Sequence, residues 1–296
     1  MYMVSNELHR VAVLLAAYNG LEWIEEQVLS ILNQEGVQVT IFISVDLSTD
    51  GTEEKVSELA NKHTNVIMLP YGVRFGGAGP NFFRLLKDVD ITDFDAVALA
   101  DQDDIWFHDK LQRACALISS GKCDVYSSNV IAFWPDGKQA VINKSQPQKR
   151  FDHFFEAAGP GCTYVLNPFS AAAFKYFLIE KGDRLSEVAL HDWLAYAFCR
   201  ERGFIWFIDQ KPSMLYRQHG NNQVGINSGL AAYRKRWQLI HQGWYRTQVL
   251  TVIELVAPAK VGLFSSRYFL LRNFNELRRR ARDRWFTLVI ITFGFY

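Results

Sequence analysis

Asp101, Asp103 and Asp104 place three carboxylates within four residues, directly after the apolar run over residues 94–100. Carboxylates packed this closely repel one another unless a cation holds them. Hard divalent ions such as Mg²⁺ or Mn²⁺ take oxygen ligands, commonly a few carboxylates together with substrate phosphates. The apolar run reads as a buried strand of a parallel sheet. Ligands of open α/β sheets lie beyond the carboxyl ends of such strands. The stretch is then either a metal–diphosphate site or a solvated acidic turn. In the second case Asp104 caps a helix that starts near Phe107, since Asp is a favoured N-cap.

The surrounding pattern supplies the scaffold those carboxylates need. Residues 11–17 are apolar and read as a strand, and Tyr18, Asn19 and Gly20 break it. Leu21, Ile24, Val28, Ile31 and Leu32 then recur at helical spacing over residues 21–33. The alternation continues with a strand over 39–45, a polar loop over 46–52 and a helix over 53–61. A strand over 65–69, a glycine-rich loop over 72–79 and a short helix over 81–87 follow. Strands alternating with helices predict βαβ units with right-handed crossovers. Beyond the carboxylates the pattern gives a helix over 111–119, a strand over 124–129 and a hairpin-type turn over 135–138. It then gives a glycine-led strand over 159–168, helices over 171–179 and 191–202, and strands over 204–208 and from Met214.

Tyr18, Asn19, Asp46 and the three carboxylates thus fall where strands end, and should crowd one edge of the sheet as a ligand crevice. The crevice is not a dinucleotide site. Gly77, Ala78 and Gly79 are followed by Phe82 where a third glycine is required, and they do not directly follow the first strand. A Walker A motif is also absent from the sequence.

Composition is that of a globular protein, 49% hydrophobic and 21% charged, and 296 residues suit one large domain or two interleaved halves. We divide the chain into an α/β body over 1–230 and a helical, basic and aromatic region over 231–296. Within the body, about 1–108 is the nucleotide-binding half and 109–230 the acceptor half. Residues 231–296 hold twelve Lys and Arg against three Asp and Glu, although the whole chain carries only +1. Leu270, Phe274, Leu277, Ala281 and Trp285 form an apolar stripe at helical spacing, beside a cationic surface that includes Arg272, Arg279 and Arg282. Such a helix suits an anionic membrane interface, or it docks on the domain or on a second subunit of a homo-oligomer. Nothing else resembles a nucleic-acid module. The four cysteines, Cys115, Cys123, Cys162 and Cys199, show no zinc spacing, and residues 1–10 show no apolar signal core. Both point to reduced thiols and a cytoplasmic protein.

Several of these stretches occur together in one known family. Over residues 10–225 the chain resembles the family-2 inverting glycosyltransferases of the GT-A fold. Ala17-Tyr18-Asn19 is similar to the opening of that family. Val45-Asp46-Leu47-Ser48-Thr49-Asp50-Gly51-Thr52 resembles its Asp-Asp-x-Ser-x-Asp-x-Thr loop. Asp101-Gln102-Asp103 resembles its Asp-x-Asp metal motif. The Gln between the acids, and Ile105-Trp106 after them, are similar to the rhamnosyltransferase branch. His191-Asp192-Trp193 matches the catalytic-base segment, and the stretch from Tyr216 through Arg217, His219 and Gly220 to Asn222 is similar to that branch's Arg-x-His-Gly loop. Val45 stands where the family usually has the first acid of its pair, and Leu47 where it commonly has glycine.

The resemblance implies an α/β GT-A fold, with a mostly parallel sheet flanked by helices and a C-terminal helical extension. It implies a metal-dependent inverting transferase, taking a sugar from a dTDP- or UDP-sugar, with dTDP-L-rhamnose expected, to a glycan or lipid-linked glycan. Its place would be the cytoplasmic face of the membrane. Ala17, Tyr18, Asp46, Arg74, Asp101, Gln102 and Arg217 would bind the donor nucleotide, with Asp46 accepting the imide N–H of the pyrimidine. Asp101, Asp103 and His219 would hold Mn²⁺ or Mg²⁺. Asp192 would take the proton from the acceptor hydroxyl. Trp106, Gly161, Cys162, His191 and Trp193 would line the acceptor side, Trp106 as packing or as a wall of the sugar pocket. The rival readings are a sugar nucleotidyltransferase, which usually needs a glycine-rich triphosphate loop after its first strand, and an inactive glycan- or membrane-binding scaffold.

Overall fold

Period-two alternation in the first strand decides how this chain is layered. The structure is a computed structural model and describes residues 8–219, 242–294 and 296. Gly220 to Asn222 of the Arg217 loop, and the boundary drawn at 230, lie outside the described residues.

Strand β1 (His9–Ala17) is buried on both faces from Val11 onward. Val11, Val13 and Leu15 face one apolar cluster, and Ala12 and Leu14 face another. Helix α1 (Ile24–Leu32) leads to β2 (Val37–Val45), α2 (Thr52–Lys62), β3 (Val66–Met68), α3 (Ala78–Asp88) and β4 (Ala96–Ala100). Next come β5 (Ile105–Trp106), α4 (Lys110–Ser119), β6 (Val125–Ser128), β7 (Val130–Phe133) and β8 (Gln139–Ile142). The body ends with β9 (Val165–Leu166), α5 (Pro168–Lys181), α6 (His191–Glu201), β10 (Trp206–Asp209) and β11 (Met214–Arg217). Helices α1, α2 and α4 cover one sheet face and α3, α5 and α6 the other. This two-sided burial is why β1 and β4 are continuously apolar.

The main sheet runs β10-β6-β9-β4-β1-β2-β3, parallel except for β9, which is antiparallel to both β4 and β6. A smaller sheet, β5-β11-β7-β8, stands beside it. Register sets the site. Ala17 pairs with Val45 and Leu15 with Ala100. Tyr18, Asp46 and Asp101 therefore leave three adjacent strands along one edge.

Three expectations change. The segment after the carboxylates is a two-residue strand, with Trp106 opposite Met214. Helix α4 starts only at Lys110, and its N-cap position is Asp109. Asp104 is therefore no helix cap. The glycine-led strand shrinks to Val165 and Leu166, because Gly161–Thr163 coils into a 3-10 turn. The expected tail stripe does not lie on one helix. It is broken into Arg267–Arg272, a 3-10 turn over Phe274–Glu276, and Ala281–Thr292.

Leu270 and Leu277 are buried, and with Val249, Val252, Ile253 and Phe264 they cover Phe151, Phe154, Phe155 and Trp193 of the body. Arg279 belongs to no cationic surface. It is buried, with its guanidinium 3.0 Å from Asp152.

Candidate active site

The end of β1 is held by a side chain from the loop after β4. The Gln102 side chain pairs with Tyr18 as a strand would: Tyr18 N donates to Oε1 (2.7 Å), and Nε2 donates to Tyr18 O (2.8 Å). A Cβ on Gly20 would lie 2.2 Å from Gln102 Oε1, so this pairing requires glycine there. Gln102, expected to bind the donor nucleotide, fixes the Tyr18 backbone. The Tyr18 ring is half exposed and free to lie against a base. Asp46 is buried and gathers backbone donors. Leu47 N and Phe75 N donate to Oδ1 (2.8 and 2.7 Å), and Gly76 N donates to Oδ2 (2.8 Å). Asp46 thereby clamps the glycine-rich loop that carries the exposed Arg74. One acceptor position on Oδ2 is left for an imide N–H.

The carboxylate cluster faces two ways. Asp104 is 1% exposed, and among the described residues its Oδ2 has no hydrogen-bond partner. It looks inward toward Lys110, whose Nζ donates to Cys162 O (2.6 Å) and lies 3.1 Å from the centre of the Trp106 ring. Burial pushes the Asp104 carboxyl well up and the Lys110 ammonium well down. The sequence reading missed Lys110. A lysine opening an amphipathic helix looks like a surface residue, and only the fold puts it under the carboxylates.

Asp103 looks the other way. Its Oδ2 is 2.6 Å from His219 Nε2, and the His219 ring stacks on Trp23 at 4.2 Å. Arg217 spans the cluster, with Nε on Asp103 O (2.8 Å), its backbone N on Asp104 Oδ1 (3.3 Å) and Nη2 on Glu26 (2.5 Å). Asp101 is half-buried, and its carboxyl is pushed up by burial first and by the charge of Asp103 second.

The donor set suits a hard divalent cation. Ligand atoms of Asp101, Asp104 and Cys162 all lie within 4.8 Å of one another. Burial holds Cys162 as a thiol, with Sγ 3.7 Å from Met214 Sδ. The thiol is therefore a poor ligand, and Asp101 and Asp103 with His219 are the better set.

Asp192 enters from the first turn of α6, with Oδ1 accepting from Trp193 N (2.7 Å). Burial lifts its carboxyl to about 6, and its charge raises Asp101 in turn, so the two groups share one site. The chain turn at Gly161 gives it room. A Cβ there would lie 3.1 Å from Asp192 Cβ and 2.7 Å from His191 Nε2. His191 stacks on Phe82 at 4.1 Å, and burial lowers it to about 3, so it is neutral at pH 7.

Three expected acceptor residues turn away from the cleft. Trp193 is buried, with Nε1 donating to His153 O (3.0 Å). Trp106 is 3% exposed and packs on Lys110. Cys162 is fully buried.

The family described as "Glycosyl transferase family 2" matches residues 12–181. A dTDP-rhamnosyl transferase, RfbG of Shigella flexneri, is 43% identical over 291 residues, 95% of this chain and all of that protein. A UDP-Glc:alpha-D-GlcNAc-diphosphoundecaprenol beta-1,3-glucosyltransferase, WfgD of Escherichia coli, is 24% identical over 54% of this chain and 63% of that one. Among solved structures, S. aureus TarS 1-349 in complex with UDP aligns with a TM-score of 0.58 at 16% identity, over 94% of this chain and 74% of that one. The mannosyltransferase PcManGT from Pyrobaculum calidifontis, in complex with GDP-Man and Mn2+, aligns at 0.55 with 15% identity, over 97% and 74%.

Proposed function

The chain belongs to glycosyltransferase family 2, and we propose that the sugar it transfers is L-rhamnose, taken from dTDP-rhamnose and delivered with inversion to a glycan or lipid-linked glycan. One observation carries the chemistry: Asp192 lies close enough to Asp101, at the end of β4, for its charge to act on that carboxyl, so a proton acceptor adjoins the group that receives a diphosphate. Full-length identity to a dTDP-rhamnosyl transferase supports the choice of donor.

Inverting transfer is one in-line displacement at the anomeric carbon. The acceptor hydroxyl loses its proton as it attacks, and the diphosphate leaves from the opposite side. Asp192 takes the proton. Its carboxyl near 6 is ionised at pH 7 yet basic enough to accept one. Tyr18 and Asp46 hold the thymine, and Gln102 fixes the Tyr18 backbone. Arg217 and His219 orient the diphosphate from the β11 end of the cleft. Mn²⁺ or Mg²⁺ held by Asp101, Asp103 and His219 would neutralise the developing charge on the leaving group.

The chain also lies on an anionic membrane surface. The helix Ala281–Thr292 buries Thr287, Ile290 and Ile291, yet leaves Trp285, Phe286 and Val289 exposed, with Phe293 just beyond it. Exposed Arg267, Arg272 and Arg282 stand on the same segment. Aromatic side chains with arginines suit a lipid interface. Among the described residues, no helix is long and apolar enough to cross a membrane.

The test is nucleotide release from dTDP-rhamnose, UDP-glucose and GDP-mannose, with and without EDTA, over a panel of sugar acceptors, and the anomeric configuration of the product by NMR. Release from dTDP-rhamnose alone, lost in EDTA and giving an inverted product, is expected. Preference for another donor, or a retained configuration, overturns the reading.

A further inference from the structure

A cavity of about 380 Å³ lies between the body and the C-terminal segment. The body lines it with Arg150, with His153 and with Arg200 and Glu201 from the last turn of α6, and the C-terminal segment adds Lys260. It is a different place from the transfer site, since Glu201 and Asp192 stand at opposite ends of α6, about 13 Å apart at 1.5 Å per residue. Its charge is unbalanced: three cations line it with one carboxylate. That carboxylate is taken, because Lys260 Nζ donates to both oxygens of Glu201 (2.6 and 2.8 Å). Arg200 is held by Asp152 (3.3 Å) and by the Tyr196 hydroxyl (2.6 Å), and Asp152 already carries Arg279. The Arg150 guanidinium makes no ion pair among the described residues and lies over the Phe151 ring, 4.9 Å from its centre.

His153 is the second unbalanced group. It is 5% exposed, and among the described residues neither ring nitrogen has a hydrogen-bond partner, Nε2 stopping 3.6 Å from Glu201. Burial lowers its pKa, so the ring is neutral at pH 7 and carries one N–H. A buried donor without an acceptor is rare in folded proteins, and an oxyanion in the cavity would supply one. The remaining wall is apolar. Phe151, Phe264 and Phe269 form a triangle of rings with centres 5.3, 5.3 and 5.8 Å apart. Beside them Leu263 and Tyr268 are exposed, on the short helices Val261–Ser265 and Arg267–Arg272. Arg267 donates to Thr292 O, which ties this rim to the helix Ala281–Thr292 and its exposed aromatic face.

We propose that this cavity holds the phosphate headgroup of an anionic phospholipid, with Arg150, Arg200, Lys260 and His153 on the phosphate and the acyl chains leaving over Phe269 and Leu263. This rests on the membrane contact proposed for the exposed face of Ala281–Thr292 and gives that contact a specific site. Arg150 offers a whole guanidinium fork, which suits phosphate oxygens, and Lys260 keeps one N–H beyond the two that Glu201 takes. A soluble phosphate would answer the cations and leave the aromatic wall in water, whereas a lipid meets both. One headgroup is a weak anchor alone and works together with the aromatic face.

The probe is dihexanoyl phosphatidylglycerol, a lipid short enough to stay dissolved as single molecules, titrated calorimetrically into the full chain. Dihexanoyl phosphatidylcholine, with the same tails and no net charge, and glycerol 3-phosphate, with the phosphate and no tails, are the other arms. The phosphatidylglycerol should bind once per chain and more tightly than either, and the His153 ring N–H should become protected from solvent exchange as it does so. Arg150→Met should raise its dissociation constant about tenfold to a hundredfold, as expected for lost charge-assisted contacts, and Arg150→Lys should restore part of it. Neither change should alter the melting temperature without lipid, because the Arg150 side chain is exposed. Equal affinity for the two lipids, glycerol 3-phosphate binding as tightly as the phosphatidylglycerol, or unchanged affinity in Arg150→Met overturns the proposal. The dissolved lipid needs no surface, so the two readings fail separately. A chain that ignores vesicles yet binds it overturns the surface reading alone, and one that sediments with vesicles yet does not bind it overturns the site alone.

Discussion

At the scale of single residues, the base is also a point of weakness. Burial holds the Asp192 carboxyl near 6, against 3.8 for a free one. The folded state therefore binds its proton more tightly than the unfolded chain, and stability falls as pH rises from about 4 to 6. Activity runs the other way, because only the ionised form accepts a proton, so the rate should fall as pH drops through about 6. Asp192→Asn keeps the shape and removes both effects. It should lower kcat by roughly 10²–10⁴-fold, the usual worth of a general base, with dTDP affinity unchanged. It should also raise the melting temperature above that of the native chain at pH 8 and not at pH 4. A kcat within threefold of native would move the base elsewhere. Equal melting temperatures at pH 8 would show that Asp192 is not strained by burial.

Sequence could propose Asp192, Asp101, Asp103 and His219, because each sits in a motif whose residue types name their chemistry. It could not assign Lys110 or Asp104. Both look like ordinary polar residues at a helix start, and that they come near enough for their charges to act on each other depends on β5 replacing the expected first turn of that helix.

At the scale of elements, one steric fact connects two loops that lie far apart in the chain. Gly20 adopts an ordinary backbone conformation, and what it lacks is space, since Gln102 Oε1 lies 2.2 Å from where a Cβ would be. Gly20→Ala should push Gln102 off Tyr18, and dTDP should then bind about tenfold more weakly, the order of one or two lost hydrogen bonds. Gln102→Ala should cost a similar amount. The double variant should cost no more than Gln102→Ala alone, because the alanine then meets no side chain. Additive losses in calorimetric titrations would show that Gly20 acts by another route. The strand and helix framework was legible, because two-sided burial writes continuous apolar runs into β1, β2 and β4. The glycine-led strand was not. Its residues are apolar and spaced like a strand, but Gly161 has to turn to make room for His191 and Asp192.

At the scale of the whole molecule, the C-terminal region is part of the fold. The apolar stripe over residues 270–285 reads as one amphipathic helix, at a membrane interface or docked on the domain or on a second subunit. Periodicity alone cannot show that Asn273 and the residues after it break that helix, nor that Asp152 draws Arg279 inside. Removing the segment would uncover Phe151, Phe154, Phe155 and Trp193 and take from Asp152 its ion pair with Arg279. Truncation would therefore unfold the chain rather than test membrane binding. The question needs substitutions on the exposed face alone. Trp285 is 61% and Phe293 71% exposed, so Trp285→Ser with Phe293→Ser removes apolar surface without opening the core. Native protein should sediment with phosphatidylglycerol vesicles at low salt, bind phosphatidylcholine vesicles weakly, and come off as salt shortens the range of the arginine charges. The double substitution should release it at every salt concentration while leaving the melting temperature and dTDP affinity as they were. If native protein ignores anionic vesicles and instead sediments as a dimer that the same substitutions dissociate, the face belongs to a second copy of the chain.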